Sequence, residues 1–279
     1  MKLALLIGYL GGKFAGSQYQ PDKRTVEGEF IKAGISCGAW TDAKNAGFRT
    51  AGRTDKGVSA RRQLISVTVS NPERFCDAIN FYLPDDIWCH GYTEVDEEFY
   101  PRYHAGIRTY RYFYPHKLNI DKMNEAAKLF VGTHDFSGFS KMEGGRDPIR
   151  TVTNAKVFAG IDGYPVFEVS AKSFLWNMVR GMAGMLEPIG LGLTPADAVE
   201  KQLKSHIWRV HPASAEGLVF WDTEIDLTFT PMRQKKEVAR NLFLSAELKR
   251  TEAIATEALL DNNAEQLEDA ILRNYSSFI

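Results

Sequence analysis

Residues 63–93 read QLISVTVSNPERFCDAINFYLPDDIWCHGYT, and this stretch decides the fold class. Apolar residues at 65, 67 and 69 alternate with their neighbours, which is the period of a half-buried strand. Asn71-Pro72 then starts a helix as a cap followed by proline at the first position. The helix carries an apolar face formed by Phe75, Ala78, Ile79 and Tyr82. With a second strand at 86–93, the stretch predicts a strand–helix–strand unit packed on a sheet.

Patterns of the same kind flank this stretch on both sides. We predict further strands at 3–9, 107–114, 155–159, 166–171 and 218–227. We predict further helices from a Thr25 cap to about 33, at 121–131, from a Ser173 cap to about 188, and from 194. Strands mixed with helices on one face indicate an α+β fold. We expect two related ferredoxin-like halves forming one continuous, largely antiparallel sheet, with a cleft at their junction.

The chain divides into three predicted parts. The first half spans 1–105, the second half spans 106–230, and a helical C-terminal extension spans 231–279. After Pro231 the sequence is rich in Ala, Leu and Glu, with few strand-forming residues. From its amphipathic spacing we expect the extension to pack on its own subunit.

The overall composition is that of a soluble globular protein, with 44% hydrophobic residues and a net charge of −1. Nucleic-acid-binding proteins usually carry a basic excess, so an RNA-binding surface here requires a local concentration of Arg and Lys. Three cysteines, with no CxxC pair, argue against a disulfide framework or a structural zinc site and fit a reducing cytosol. The apolar run at 3–10 ends in Gly11-Gly12-Lys13, so we expect a buried strand rather than a signal peptide, and a cytoplasmic protein.

A single carboxylate stands out in the segment Ala51-Gly52-Arg53-Thr54-Asp55-Lys56-Gly57-Val58. Arg53 and Lys56 flank Asp55, and nearby cations favour an ionised carboxylate that can act as a nucleophile or a base. The glycines allow the backbone to approach a ligand closely. Taken alone, a solvated turn with an incidental ion pair explains the segment equally well.

Two further segments carry candidate residues. Residues 99–112 interleave Tyr with Arg, which suits base stacking and phosphate contacts on an RNA surface. The alternative is an ordinary strand with aromatic residues inward and arginines in water. On such a strand Tyr110 and Tyr112 share one face, and Thr109 and Arg111 share the other. Arg180 lies in an otherwise apolar helix, where it must reach water or pair with a carboxylate.

These segments resemble motifs of the TruA family of tRNA pseudouridine synthases. Residues 51–58 resemble the family's characteristic motif. Other segments resemble further motifs of the family in the same order along the chain, namely 14–18, 24–28, 83–87, 108–112, 134–136, 150–152, 174–180 and 216–218. The likeness covers about residues 1 to 225 and is to archaeal-like members. The helical extension after Pro231 matches no motif of the family.

The resemblance implies a function and a set of roles. The family isomerises uridine to pseudouridine on the 3′ side of the anticodon stem-loop of tRNA, at positions 38–40, as a homodimer without a cofactor or a metal. Asp55 would be the catalytic carboxylate, paired with Arg180. Tyr110 would stack on the flipped base and take part in a proton transfer. Arg53 would enter the RNA, and Leu218 would line the base pocket. Further candidate RNA contacts are Lys13, Lys56, Arg61, Arg62, Arg102, Arg146 and Arg150.

Three departures from the family pattern concern the substrate. Ser17 stands where many relatives carry an aromatic residue, so one stacking contact is expected to be absent. Ser59 replaces a histidine, and Tyr100-Pro101 precede Arg102 where His-Ala is usual.

Two other functions remain open from the residues alone. A non-catalytic RNA-binding or tRNA chaperone module would keep Arg53 and the aromatic strand but would not need Asp55. A hydrolase using Asp55 as a general acid or base would usually show a partnering carboxylate or histidine, and the sequence identifies none.

Overall fold

The computed structural model describes residues 1–208 and 210–260, and it is a mixed α+β fold built on one large sheet. The strands are β1 (Lys2–Tyr9), β2 (Arg49–Thr50), β3 (Ser59–Thr68), β4 (Ile87–Val95), β5 (Arg108–Phe113), β6 (Gly132–Asp135), β7 (Ile149–Ala159), β8 (Pro165–Ala171), β9 (Leu218–Thr223) and β10 (Thr230–Pro231). The helices are α1 (Val26–Ser36), α2 (Pro72–Tyr82), α3 (Pro101–His104), α4 (Ile120–Lys128), α5 (Met178–Gly190), α6 (Ala198–Ser205) and α7 (Lys236–Leu260).

The strands follow the order β10-β4-β1-β3-β9-β5-β8-β7-β6, with β2 paired to β3 beside this path. Neighbouring strands are antiparallel except at one place, where Ser59 and Ala60 of β3 run parallel to Val219 and Phe220 of β9. This short parallel contact joins the sheet of the first half to that of the second. The predicted fold class, a continuous and largely antiparallel α+β sheet, is confirmed.

The main core lies between the sheet and the helices on one of its faces. Alternate residues of β1, Leu3, Leu5 and Ile7, join one apolar cluster with Phe30 of α1 and Ile79 of α2. The same cluster continues into the second half through α4 and α5. The other face of β1 and β3 carries a smaller cluster, made of Ala4, Leu6, Ala51, Leu64, Phe99 and Ala105.

Strand β3 departs from its predicted half-buried character. Leu64 and Ser66, on the face expected to meet water, are both fully buried. The strand is central in the sheet, and the smaller cluster covers its second face. Alternation in the sequence therefore located the strand correctly but understated its burial.

Local capping explains which helix starts were predicted correctly. Thr25 accepts a hydrogen bond from the amide of Gly28, and Asn71 accepts one from the amide of Arg74, as their positions predicted. The Ser173 cap is wrong, because α5 begins only at Met178 after a left-handed residue, Asn177 (φ 63°). Helix α6 likewise begins at Ala198, after the Thr194-Pro195 turn.

The helical nature of the extension is found in the described residues, but its packing differs from the expectation. Val238 is buried, whereas Phe243, Leu248 and Ile254 are between 61% and 64% exposed. The first turns of α7 therefore pack on the subunit, and the following turns project from it. Residues 261–279, the rest of the predicted extension, lie outside the described residues. No helix in the described part is both long and apolar enough to cross a membrane.

Candidate active site

A cleft of about 1240 Å³ opens at the junction of the two halves. Its walls come from the loop before β3, from α3, from the segment leading into α5, and from the start of β9. Among the described residues, eight cationic side chains and three acidic ones line it. A chain with a net charge of −1 thus concentrates positive charge where a polyanion would enter, as the composition required of an RNA-binding protein.

The loop that carries Asp55 is held by its neighbour Thr54. The Thr54 hydroxyl is paired with the buried Tyr9 hydroxyl at 2.8 Å, and its amide donates to Ser17 Oγ at 2.8 Å. The Ser17 amide donates in turn to the Thr54 carbonyl at 3.0 Å. Gly57 has a left-handed φ of 89°, and a Cβ there would lie 3.0 Å from a Glu216 carboxylate oxygen. These contacts fix the loop so that Asp55 faces the cleft.

Ser17, which stands where many relatives carry an aromatic residue, contributes to the structure of this loop. Its side chain is buried and accepts a hydrogen bond from the backbone of the Asp55 loop. An aromatic residue in this orientation would collide with Thr54. Ser17 thus makes a structural contact with Thr54.

Asp55 lies at the mouth of this loop with its side chain 39% exposed. Arg180 Nη1 lies 3.9 Å from Asp55 Oδ2. Partial burial raises the pKa of the Asp55 carboxyl, and the charge of Arg180 and a hydrogen bond from Trp176 oppose that rise. The flanking cations Arg53 and Lys56 are exposed, and Arg180, the predicted partner of Asp55, is the cation that lowers the pKa of its carboxyl.

Arg180 is itself fixed by two more contacts. Its Nε donates to the Ala213 carbonyl at 2.7 Å, and its Nη1 approaches Asn177 Oδ1 at 3.3 Å. The left-handed backbone of Asn177 is unfavourable for a residue with a side chain, although Asn tolerates it better than most. This turn starts α5 late and leaves Trp176 in the cleft, next to Asp55.

Tyr110 and Leu218 form the apolar floor of the cleft. The Tyr110 ring meets Phe174 and Phe220 edge to face, with centroids 5.1 and 5.0 Å apart. Burial raises the pKa of its hydroxyl far above the usual value, with smaller contributions from Tyr9 and Asp55. Tyr110 is therefore neutral near pH 7 and able to donate a hydrogen bond. Leu218 is 5% exposed and lines the same floor.

The arginines of β5 do not face the cleft as free cations. Arg108 is buried and donates hydrogen bonds to backbone carbonyls, namely those of Ala51, Arg102, Ala105, Gly106 and Lys172. Arg111 lies on the opposite face, where it pairs with Glu168 at 2.7 Å and lies over the Trp221 ring at 3.9 Å. On this strand Tyr110 lines the cleft, whereas the guanidinium groups of Arg108 and Arg111 hold together parts of the fold.

The remaining predicted RNA contacts fall into two groups. Arg53, Lys56, Arg102 and Arg146 line the cleft. Arg61 and Arg62 are instead bonded to Asp222 near Trp221, on the other face of the sheet. Lys13 and Arg150 also lie outside the cleft lining, and Arg150 donates to the carbonyls of Asp147 and Ile149.

Several residues of the site were not predicted from the sequence. Trp176, Lys172, Arg49 and Tyr103 line the cleft, and Lys141 Nζ lies 4.1 Å from the centre of the Trp176 ring. Trp176 and Lys172 belong to the segment before α5, which was expected to be helical in part. Because a helix was predicted from Ser173, the turn that places Trp176 next to Asp55 was not expected. Within the described part of the chain no three His, Cys, Asp or Glu side chains are grouped as metal ligands.

Comparison with known proteins gives a consistent result. A family model described as tRNA pseudouridine synthase matches residues 126–226. The tRNA pseudouridine synthase A of Methanocorpusculum labreanum is 61% identical over 280 residues, covering all of both chains. That of Methanoculleus marisnigri is 47% identical over 83% of this chain and 86% of its own. That of Thermococcus kodakarensis is 43% identical over 80% and 85%, respectively. The first match extends through the C-terminal extension.

Proposed function

The chain belongs to the tRNA pseudouridine synthase A family, an isomerase family that acts on tRNA uridines, and from this premise we propose a target and a catalytic residue. The target is uridine on the 3′ side of the anticodon stem-loop, at positions 38–40. The catalytic residue is Asp55. The observation that supports this assignment is a partly buried carboxylate, paired with Arg180 above an aromatic floor in a cationic cleft.

The reaction needs one reactive carboxylate and a way to turn the base. The bond between uracil N1 and the ribose breaks, the base rotates, and a bond from ribose to uracil C5 forms. The hydrogen on C5 leaves as a proton while N1 gains one, so no atoms are added. Partial burial raises the pKa of the Asp55 carboxyl and so strengthens it as a nucleophile or base, whereas Arg180 opposes that rise and favours the ionised form.

The target base must leave its stack before Asp55 can reach it. Unstacking costs a few kcal/mol, which contacts in the cleft can offset. Arg53 is exposed at the mouth of the cleft and would take the place of the extruded base. Tyr110 and Leu218 would receive the base on the apolar floor, with the neutral Tyr110 hydroxyl available for a proton transfer.

Phosphate contacts would come from the exposed cations that line the cleft, namely Arg49, Lys56, Arg102, Arg146 and Lys172. Arg146 is already paired with Glu143 at 2.8 Å and would have to exchange that partner. We also expect a homodimer in the cytoplasm, as the family implies. Sedimentation equilibrium of the purified chain would measure the oligomeric state directly.

The decisive measurement is tritium release from unmodified tRNA transcripts that carry 5-tritiated uridine. Formation of the new bond at C5 displaces the label, so release reports the isomerisation itself. The wild-type protein is expected to release tritium, and Asp55→Asn is expected to release none. The exposed Asp197, which directly precedes α6 and pairs with Lys201, provides the matched control, and Asp197→Asn should retain wild-type release.

Thermal melting separates a catalytic defect from a folding defect. Because burial raises the pKa of Asp55, its ionised form disfavours the folded state at pH values above that pKa. Asp55→Asn should therefore melt no lower than wild type at neutral pH. Equal release by Asp55→Asn and wild type would disprove the assignment of Asp55, and no release by either, with tRNA binding intact, would favour a non-catalytic RNA-binding protein.

A further inference from the structure

A pair of tyrosines forms an exposed platform at the rim of the cleft. Tyr103 is 75% exposed, and its ring centroid lies 5.1 Å from that of Tyr100, with an angle of 37° between the rings. Both residues line the cleft, as do Arg49 and Arg102. The guanidinium carbon of Arg49 lies 6.0 Å from the centre of the Tyr100 ring. Together these four residues are called the rim platform below.

The short helix α3 holds the platform in place. Pro101 is buried at its first position, and Phe99 and Ala105, on either side of the turn, are also buried. Tyr100 directly precedes α3 and Tyr103 lies within it, and their rings lie next to each other. The buried residues anchor the turn, so its two tyrosines are oriented before any ligand arrives.

The platform has the chemistry of a subsite for an unpaired nucleobase. Proteins that bind single-stranded nucleic acids place exposed aromatic rings next to cations, because each base presents a π-face and each nucleotide a phosphate. The alternative is that Tyr103 is a solvated surface residue that binds no ligand. Its position argues against that, since it continues a series of aromatic and cationic side chains that leads into the positively charged cleft.

We propose that the rim platform binds an unpaired base of the anticodon loop, stacked on Tyr103, while the target uridine occupies the site at Asp55. This inference rests on the proposed function, because it assigns the platform to the same tRNA. It makes Tyr103 a determinant of substrate affinity and register rather than a catalytic residue. The nucleotide concerned lies in the loop, where bases can be splayed out, and not in the paired stem.

Affinity measurements on the full chain test the proposal directly. The probe is a fluorescently labelled unmodified tRNA transcript, compared with transcripts that carry one abasic nucleotide at each anticodon-loop position in turn. Tyr103→Ala is expected to weaken Kd about tenfold, which lies within the range for loss of one base stack. Tyr103→Phe keeps the π-face and should stay within about twofold of wild type. Tyr164→Ala, an exposed tyrosine on the turn between β7 and β8, is the control and should leave Kd unchanged.

The abasic series identifies the partner base. At one loop position the abasic transcript should bind wild type about tenfold more weakly, and Tyr103→Ala should cause no further loss on that RNA. At other positions the abasic nucleotide and Tyr103→Ala should weaken Kd independently, so that their two fold-changes multiply. Losses that multiply at every position would overturn the proposal, as would Tyr103→Phe binding as weakly as Tyr103→Ala, since a hydroxyl contact would then explain the effect.

Kinetics keep this test separate from the proposed function. Tyr103→Ala should raise the KM for tRNA in the tritium assay and leave kcat near the wild-type value. An unchanged Kd and KM would refute the platform while leaving the assignment of Asp55 intact. If wild type bound tRNA but released no tritium, the proposed function would fail, and the abasic series would still decide whether the platform binds a base.

Discussion

At the level of single residues, the chemistry of the site depends on a balance acting on Asp55. Burial raises the pKa of its carboxyl, and Arg180 opposes that rise across 3.9 Å. In the proposed mechanism Asp55 acts in its ionised form, so activity should fall as the pH drops through the pKa of Asp55. The position of the acid limb of the pH profile therefore measures how far Arg180 lowers the pKa of Asp55.

Replacement of Arg180 tests this balance. Arg180→Met removes the opposing charge, so the pKa of Asp55 rises further and the acid limb of log kcat against pH moves to higher pH. Below neutrality kcat should fall by about 100-fold, the size seen when one electrostatic contact of an active site is lost. Arg180→Lys retains a cation and should move the limb by a smaller amount. Identical acid limbs for Arg180→Met and wild type would mean that Arg180 serves only the fold, through Ala213 and Asn177.

The sequence identified candidate residues whose signals are close together in the chain, and it missed those that depend on contacts between distant segments. Asp55 could be singled out as a candidate because its flanking glycines and cations are adjacent in the chain. The parity of β5 correctly placed Tyr110 and Tyr112 on one face. Whether that face borders the cleft depends on β9 and on the segment before α5, which are more than 60 residues away in the sequence. The role of Trp176 depends on a left-handed residue, Asn177, for which no local pattern gave a signal.

At the level of secondary structure, elements with local capping signals were predicted more accurately than those shaped by tertiary contacts. The helices after Thr25 and Asn71 start where the cap residues placed them. The start of α5 was predicted too early because Ser173 resembles a cap, whereas the chain stays non-helical through a turn that ends at the left-handed Asn177. The packing of helix α7 could not be predicted from a local pattern either, because its apolar spacing does not indicate which of its turns contact the rest of the subunit.

Two apolar residues of α7 provide a matched test of its packing. Val238 is 4% exposed, and Leu248 is 61% exposed. Val238→Ala should lower the free energy of unfolding by about 1 kcal/mol, as expected for the loss of buried methyl groups. Leu248→Ala should change it by less than about 0.5 kcal/mol, the usual range for surface positions. Urea unfolding of the full chain measures both, and a larger effect at Leu248 would show that this part of α7 is covered in solution.

At the level of the whole molecule, the main feature is the separation of charge. The chain has 34 basic and 35 acidic residues, but the described lining of the cleft has eight cations against three acids. Acidic residues elsewhere keep the net charge near zero while the cleft attracts a polyanion. This arrangement predicts that tRNA binding depends strongly on salt even though the protein is not basic.

The salt dependence of tRNA binding can be assigned to individual cations. Each phosphate neutralised by the protein releases counterions, so the slope of log Kd against log salt concentration grows by slightly less than one per contact. Lys172 is exposed in the cleft lining, so Lys172→Gln should weaken binding and reduce that slope by about one. Lys32→Gln, on the outer side of α1 and 73% exposed, carries the same change of charge outside the cleft and should keep the wild-type slope. An equal reduction in both variants would indicate that tRNA responds to the total charge of the protein rather than to the cleft, and the positive lining would then not be the binding surface.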